Sequence, residues 1–162
     1  MGMKIRSVKV NNSKKCLEVT TRKGVLGLPF AKLRLIPTSG NPVKKIYVDK
    51  ELGNEGITYI LESGEEDSVP LDGFLDYNRD PDYMNKIHLH KLSVLAQEMV
   101  EQSGLSKREI ARKLRTSPAH LYRLLDTADY SKTIDQMLKL MACMGYDVEI
   151  KPKDPSLHPL NY

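Results

Sequence analysis

The sequence predicts an α+β chain: a small mixed β domain first, an all-α domain second, and a short C-terminal strand. Three observations carry this. Residues 5–61 break into short runs rich in Val, Ile, Thr and Tyr, separated by Gly, Asn, Ser and Pro. From Ile87 onward, apolar residues recur at i, i+3 and i+4, the spacing of a helix face. Charge changes along the chain as well. Residues 1–43 carry nine basic residues and one acid, Glu18, a net of +8, whereas residues 44–83 carry four basic and eleven acidic residues, a net of −7.

The first domain spans residues 1–80 in this reading. Ile5, Val8 and Val10 open it, and Asn11-Asn12-Ser13 forms a turn. Cys16 to Thr20 is strand-like, with polar alternates. Thr21-Arg22-Lys23-Gly24 turns the chain, and Val25 to Phe30 continues extended. Pro29 to Leu33 suits a turn of helix, and Thr38 to Pro42 is loop by composition. Ile46-Tyr47-Val48 and residues 57–61 are short strands, and Glu62 to Glu66 is a turn. Asp72 to Tyr77 reads as a short helix or a loop. Asn78 to Asn85, with Pro81 inside it, has the composition of an interdomain linker.

The second domain spans residues 86–151. Leu89, Leu92, Leu95, Ala96, Met99 and Val100 form the apolar stripe of an amphipathic helix, and Gly104 stands where its C-terminal cap belongs. Ser106 then suits an N-cap, with Glu109 three residues on to complete a capping box. Ile110, Ala111 and Leu114 share a face. A turn runs through Arg115 and Thr116. Ser117 is a second N-cap, and Pro118 sits at the first helical position, where a missing N–H is harmless. Leu121, Leu124 and Leu125 point inward, which leaves Pro118, Ala119, Tyr122 and Arg123 outward and His120 at the margin. Thr127 to Lys132 is a polar loop. Thr133 caps a last helix carrying Ile134, Met137, Leu138, Leu140, Met141 and Met144, and Gly145 ends it.

Residues 146–151, Y-D-V-E-I-K, read as a strand with Val148 and Ile150 on one face. A lone strand beside helices needs a ladder partner. That partner is either the same strand of a second subunit, giving a homodimer, or the chain's own N-terminal sheet. Residues 152–162, with Pro155 and Pro159, form an extended tail.

Residues 105–125 hold Lys107, Arg108, Arg112, Lys113, Arg115 and Arg123 against the single acid Glu109, a net of +5, more than the +4 of the whole chain. Two short helices with a tight turn and this charge suit the phosphates of double-stranded DNA. The bland alternative is a helical hairpin that packs and binds nothing. The stretch resembles the helix-turn-helix of the lambda-repressor and Cro class (XRE-like). Ala111 stands at that family's small position, and Ile110, Leu114, Leu121 and Leu124 stand at its aliphatic ones. Arg115 departs from the Gly usual at the turn. The resemblance implies a sequence-specific DNA-binding protein, a prokaryotic transcriptional regulator with residues 117–125 in the major groove.

The DNA-contacting set expected on these grounds is Ser106, Lys107, Arg108, Arg112, Arg115, Thr116, Ser117, Pro118, Ala119, His120, Tyr122 and Arg123. Ser106, Lys107 and Ser117 lie at helix N-termini and suit phosphate. Arg123 offers the bidentate fork a guanine edge takes, and Ala119 can touch a thymine methyl. His120 and Tyr122 can reach bases or phosphates. For each of these the competing reading is a solvated helix face.

The run from Val48 to Pro70, V-D-K-E-L-G-N-E-G-I-T-Y-I-L-E-S-G-E-E-D-S-V-P, is similar to the later half of a small α+β domain of unknown function, found alone or ahead of a helix-turn-helix. That resemblance covers residues 3–78, with Tyr59 as the aromatic of its glycine-turn hairpin. It implies regulation, assembly or partner binding, and no chemistry. The ending M-G-Y-D-V-E-I-K resembles the closing strand of antitoxin-type repressors. The alternative function is therefore an antitoxin-like interaction module whose acidic N-terminal face binds a basic partner.

Other classes find little support. His88 and His90 would diverge by about 200° on a helix and cannot converge on one metal. His120 and His158 lie elsewhere. No Gly-rich phosphate loop, nucleophile elbow or Cys-x-x-Cys is present, and the acids of residues 44–83 sit largely in turns beside glycines. The expectation is thus no enzyme, no metal and no cofactor. No run approaches the roughly 18 apolar residues of a membrane span, and residues 1–10 lack the apolar core of a signal peptide. Cys16 and Cys143, far apart, suit core thiols in a reducing cytoplasm.

Overall fold

The computed structural model describes residues 2–154. Among these it contains two three-stranded antiparallel sheets and five α-helices, strands first and helices after. The chain divides into two compact units between Met84 and Asn85.

The first unit holds both sheets. β1 (Ser7–Asn11), β2 (Cys16–Thr21) and β3 (Gly24–Pro29) form one meander. β4 (Val43–Val48), β5 (Gly56–Leu61) and β6 (Glu66–Pro70) form the other. Register follows the apolar pattern. Val10, Leu17 and Leu28 stand opposite one another, as do Val8, Val19 and Leu26. A one-residue slip would turn Leu17 and Val19 to solvent, so burial fixes the pairing. These residues, with Ile57, Tyr59, Leu61 and Phe74, make one core. Phe74 comes from α1 (Leu71–Tyr77), whose Leu71, Phe74 and Leu75 are buried. The fully buried Tyr59 keeps its hydroxyl satisfied by donating to the Leu35 carbonyl at 2.7 Å. The turn of helix expected near Pro29 is a 3-10 turn at Phe30–Lys32.

The second unit packs helices around Leu89, Ala96, Ile110, Leu121, Leu124, Met137 and Leu140. Its helices are α2 (Pro81–Ser103), α3 (Lys107–Leu114), α4 (Pro118–Leu125) and α5 (Ile134–Cys143). α2 belongs to this unit from Asn85 onward. Among the described residues no helix is long and apolar enough to cross a membrane.

Four expectations need correction. First, residues 146–151 form no strand. The two sheets consist of β1–β3 and β4–β6, so no ladder partner exists within the described chain, and Val148 and Ile150 lie exposed. Second, the linker shrinks to residues 78–80, because α2 begins at Pro81. The Asp80 carboxylate accepts the Tyr83 N–H at 3.0 Å, so Asp80-Pro81 starts a helix and is no spacer. Third, β6 occupies a stretch that offered only the turn ending at Glu66. It is an edge strand with one apolar residue, Val69, paired to Ile57. Fourth, Leu95 leaves the apolar stripe of α2. It is exposed, while Ser93 is fully buried and donates to the Leu89 carbonyl at 2.7 Å.

Both cysteines are free thiols, Cys16 buried and Cys143 half-buried. Burial pushes both thiols up from their ordinary range. Residues 155–162, which include most of the expected tail and His158, lie outside the described residues.

Candidate functional site

α3 and α4 are each eight residues long, and local sequence fixes where each begins. At the start of α3 the Ser106 hydroxyl accepts the Glu109 N–H at 3.2 Å, and the Glu109 carboxylate accepts the Ser106 N–H at 3.4 Å. This is the capping box the sequence predicts. α4 starts from Ser117, whose hydroxyl accepts the His120 N–H at 3.1 Å, with Pro118 at its first position.

Between them the chain turns at Arg115, which takes the left-handed conformation at φ 60°, ψ 44°. The Thr116 N–H reaches the Ala111 carbonyl at 2.9 Å, and the Arg115 N–H reaches that of Arg112 at 3.1 Å. This pair of bonds is a Schellman closure with arginine where glycine is usual. Arg115 accepts the strain, which is on the order of 1 kcal/mol for a residue with a Cβ.

The inward stripe holds. Ile110, Ala111, Leu121, Leu124 and Leu125 are buried. Of the twelve candidate contact residues, Ser106, Lys107, Arg108, Arg112, Arg115, Ser117, Pro118, Ala119, Tyr122 and Arg123 are exposed, and Thr116 and His120 are half-buried. Among the described residues, none of the six cations of residues 105–125 forms an ion pair.

Two contacts order this surface. The Lys107 ammonium lies 4.8 Å from the centre of the Tyr122 ring, which ties the first residue of α3 to the outer face of α4. Arg123 Nη2 lies 3.3 Å from His120 Nδ1, one turn back on α4. A cleft of about 290 Å³ adjoins Lys107 and Tyr122 and is also lined by Glu101, Val100 and Leu125. It falls just short of the roughly 300–1,000 Å³ of sites for small molecules.

Lys132 and Gln97 lie outside the residues that the sequence singles out. Lys132, placed in a polar loop, is only 3% exposed. Its ammonium donates to the carbonyls of Leu124 at 2.8 Å and Asp126 at 2.6 Å. Burial pulls its pKa below the ordinary lysine range, against the pull of Asp129 and Asp126. Gln97 of α2 donates to the Leu125 carbonyl at 2.6 Å. No local pattern announces either bond, because each joins residues whose approach depends on the packed bundle.

Elsewhere, His88 and His90 are exposed on α2, and among the described residues no group of three or more His, Cys, Asp or Glu could hold a metal ion. In the first unit, Lys4 pairs with Glu55, Lys23 with Asp80 and Asp82, and Arg34 with Asp67. The basic and acidic stretches of that unit therefore partly neutralise each other.

No protein-family model matches the chain, nor does any curated protein or solved structure.

Proposed function

We propose that this chain binds double-stranded DNA through the α3–turn–α4 surface, as a helix-turn-helix transcriptional regulator. One observation carries the reading: six cations with no ion-pair partner among the described residues lie on two serine-capped helices and the turn between them, on a hairpin whose inner face packs into the core. Phosphate oxygens suit both features, through charge and through free N–H groups at helix N-termini. In this reading α4 enters the major groove and presents Ala119, Tyr122 and Arg123 to base edges. Lys107, Arg108, Arg112 and Arg115 meet the backbone. A homodimer would place two copies of α4 on successive half-sites, and the exposed Val148 and Ile150 suit such an interface. The family assignment stands as part of this proposal, as does a regulatory role for the first unit. The antitoxin-like alternative draws less support, since several acids of its acidic stretch are already paired within the unit.

The test is fluorescence anisotropy with random-sequence duplex DNA across a salt series. Binding that weakens steeply with salt is expected, with a log–log slope of about 0.9 per phosphate contact. The double substitution of Lys107→Ala and Arg123→Ala should weaken binding at every salt concentration. Absence of binding at low salt would overturn the reading.

A further inference from the structure

α4 ends differently from α3 and α5. α3 closes over Arg115 and α5 over Gly145, both at positive φ, with the two backbone bonds of a Schellman closure. α4 has no such closure. Asp126 leaves in an extended conformation at φ −76°, ψ 111°, with one backbone bond of 3.3 Å to the Arg123 carbonyl. Its last carbonyls would be orphans. Instead side chains reach the carbonyls of Leu124 and Leu125, from Lys132 and Gln97 respectively, and Lys132 also reaches that of the C-cap Asp126, which accepts the Asp129 N–H at 3.2 Å as well. The donors come from two different places, the loop ahead of α5 and the middle of α2.

We infer that Lys132 and Gln97 are positioning residues that set the axial register of α4 and thereby its discrimination among DNA sequences. The inference rests on the DNA-binding reading above. α4 has only two turns and is seated by Leu121, Leu124 and Leu125. An apolar stripe resists separation but is non-directional, so it tolerates small slides and rotations. Hydrogen bonds are directional, and those from an ammonium are the stronger kind. The Lys132 charge also complements the negative end of the α4 dipole, opposite the end where anions are favoured. Contacts to base edges require side chains held to within about 0.5 Å by their supporting shell. Phosphate contacts from long, exposed Lys and Arg side chains do not. Loosening the C-terminus of α4 should therefore cost sequence preference and spare general affinity.

The experiment selects a preferred duplex from a random pool with the wild-type chain. It then measures affinities for that duplex and for random duplex, over a salt series, for wild type, Lys132→Met and Gln97→Leu. Each substitution is expected to reduce the preference ratio by roughly tenfold, about what one lost base contact removes. Affinity for random duplex and its salt slope should hold. An unchanged ratio overturns the inference and leaves the DNA-binding reading standing. So does a parallel fall of both affinities, which would mark a purely structural role. A wild-type chain that binds neither duplex overturns both. If Lys132→Met does not fold, Gln97→Leu decides alone, since it removes one donor at the bundle surface.

Discussion

Arg115 combines a strained backbone with an exposed guanidinium at the turn between α3 and α4. Arg115→Gly should therefore stabilise the second unit, by up to about 1 kcal/mol. If Arg115 meets a phosphate, the same change should weaken DNA binding evenly across sequences and lower the salt slope by about 1. Thermal unfolding and anisotropy would register opposite signs from one substitution. A loss on both counts would contradict the account of this turn. Tyr59→Phe removes a buried donor and leaves the Leu35 carbonyl without it, so it should destabilise the first unit by roughly 1–3 kcal/mol. At this scale the sequence was legible where an interaction is local. Ser106 with Glu109, and Ser117 with Pro118, could be read because cap and partner lie within three residues. Lys132 could not, because its partners depend on where α4 ends and how the following loop folds back.

The same start signal is legible at one site and hidden at another. Ser117-Pro118 and Asp80-Pro81 both pair a capping oxygen with proline at the first helical position. The first follows a helix and was legible as a start, whereas the second sits among polar residues that resemble a linker. Asp80→Ala should unravel the first turn of α2, at about 0.5–2 kcal/mol, with faster amide exchange at Tyr83. Unchanged protection there would refute the capping role. β6 escaped because an edge strand needs few apolar residues once its partner supplies the core face. Residues 146–151 failed in the opposite direction. Their alternation is real, but alternation describes only which side chains share a face. Without a neighbouring strand it makes no ladder.

Each unit has its own core, so perturbation should be local. Phe74→Ala should cost the first unit about 3–5 kcal/mol, and Leu121→Ala the second about 2–5 kcal/mol. Residue-resolved exchange would show which core each change loosens. The first unit should also be the more acid-sensitive, since among the described residues it holds three lowered carboxyls, Glu18, Asp49 and Asp80, against Asp129 alone in the second. The Asp49 carboxyl is held below its usual range by the Thr58 hydroxyl and by the Glu51 and Leu52 N–H groups. Burial alone would raise Asp80, but the Tyr83 N–H and Lys23 outweigh it and leave it lowered. A lowered carboxyl contributes stability that is present above its unfolded value, near 3.9, and is lost as pH falls through the folded value. Melting of this unit should thus decline below about pH 4, and Asp80→Asn should flatten the decline. A melting point level down to pH 2 would refute it. In the second unit the buried ammonium of Lys132 has a practical corollary. Lysine-directed reagents acylate or methylate the free amine, and this amine is reached only when the end of α4 opens. Its labelling rate, read by mass spectrometry beside the exposed Lys139, would time that opening.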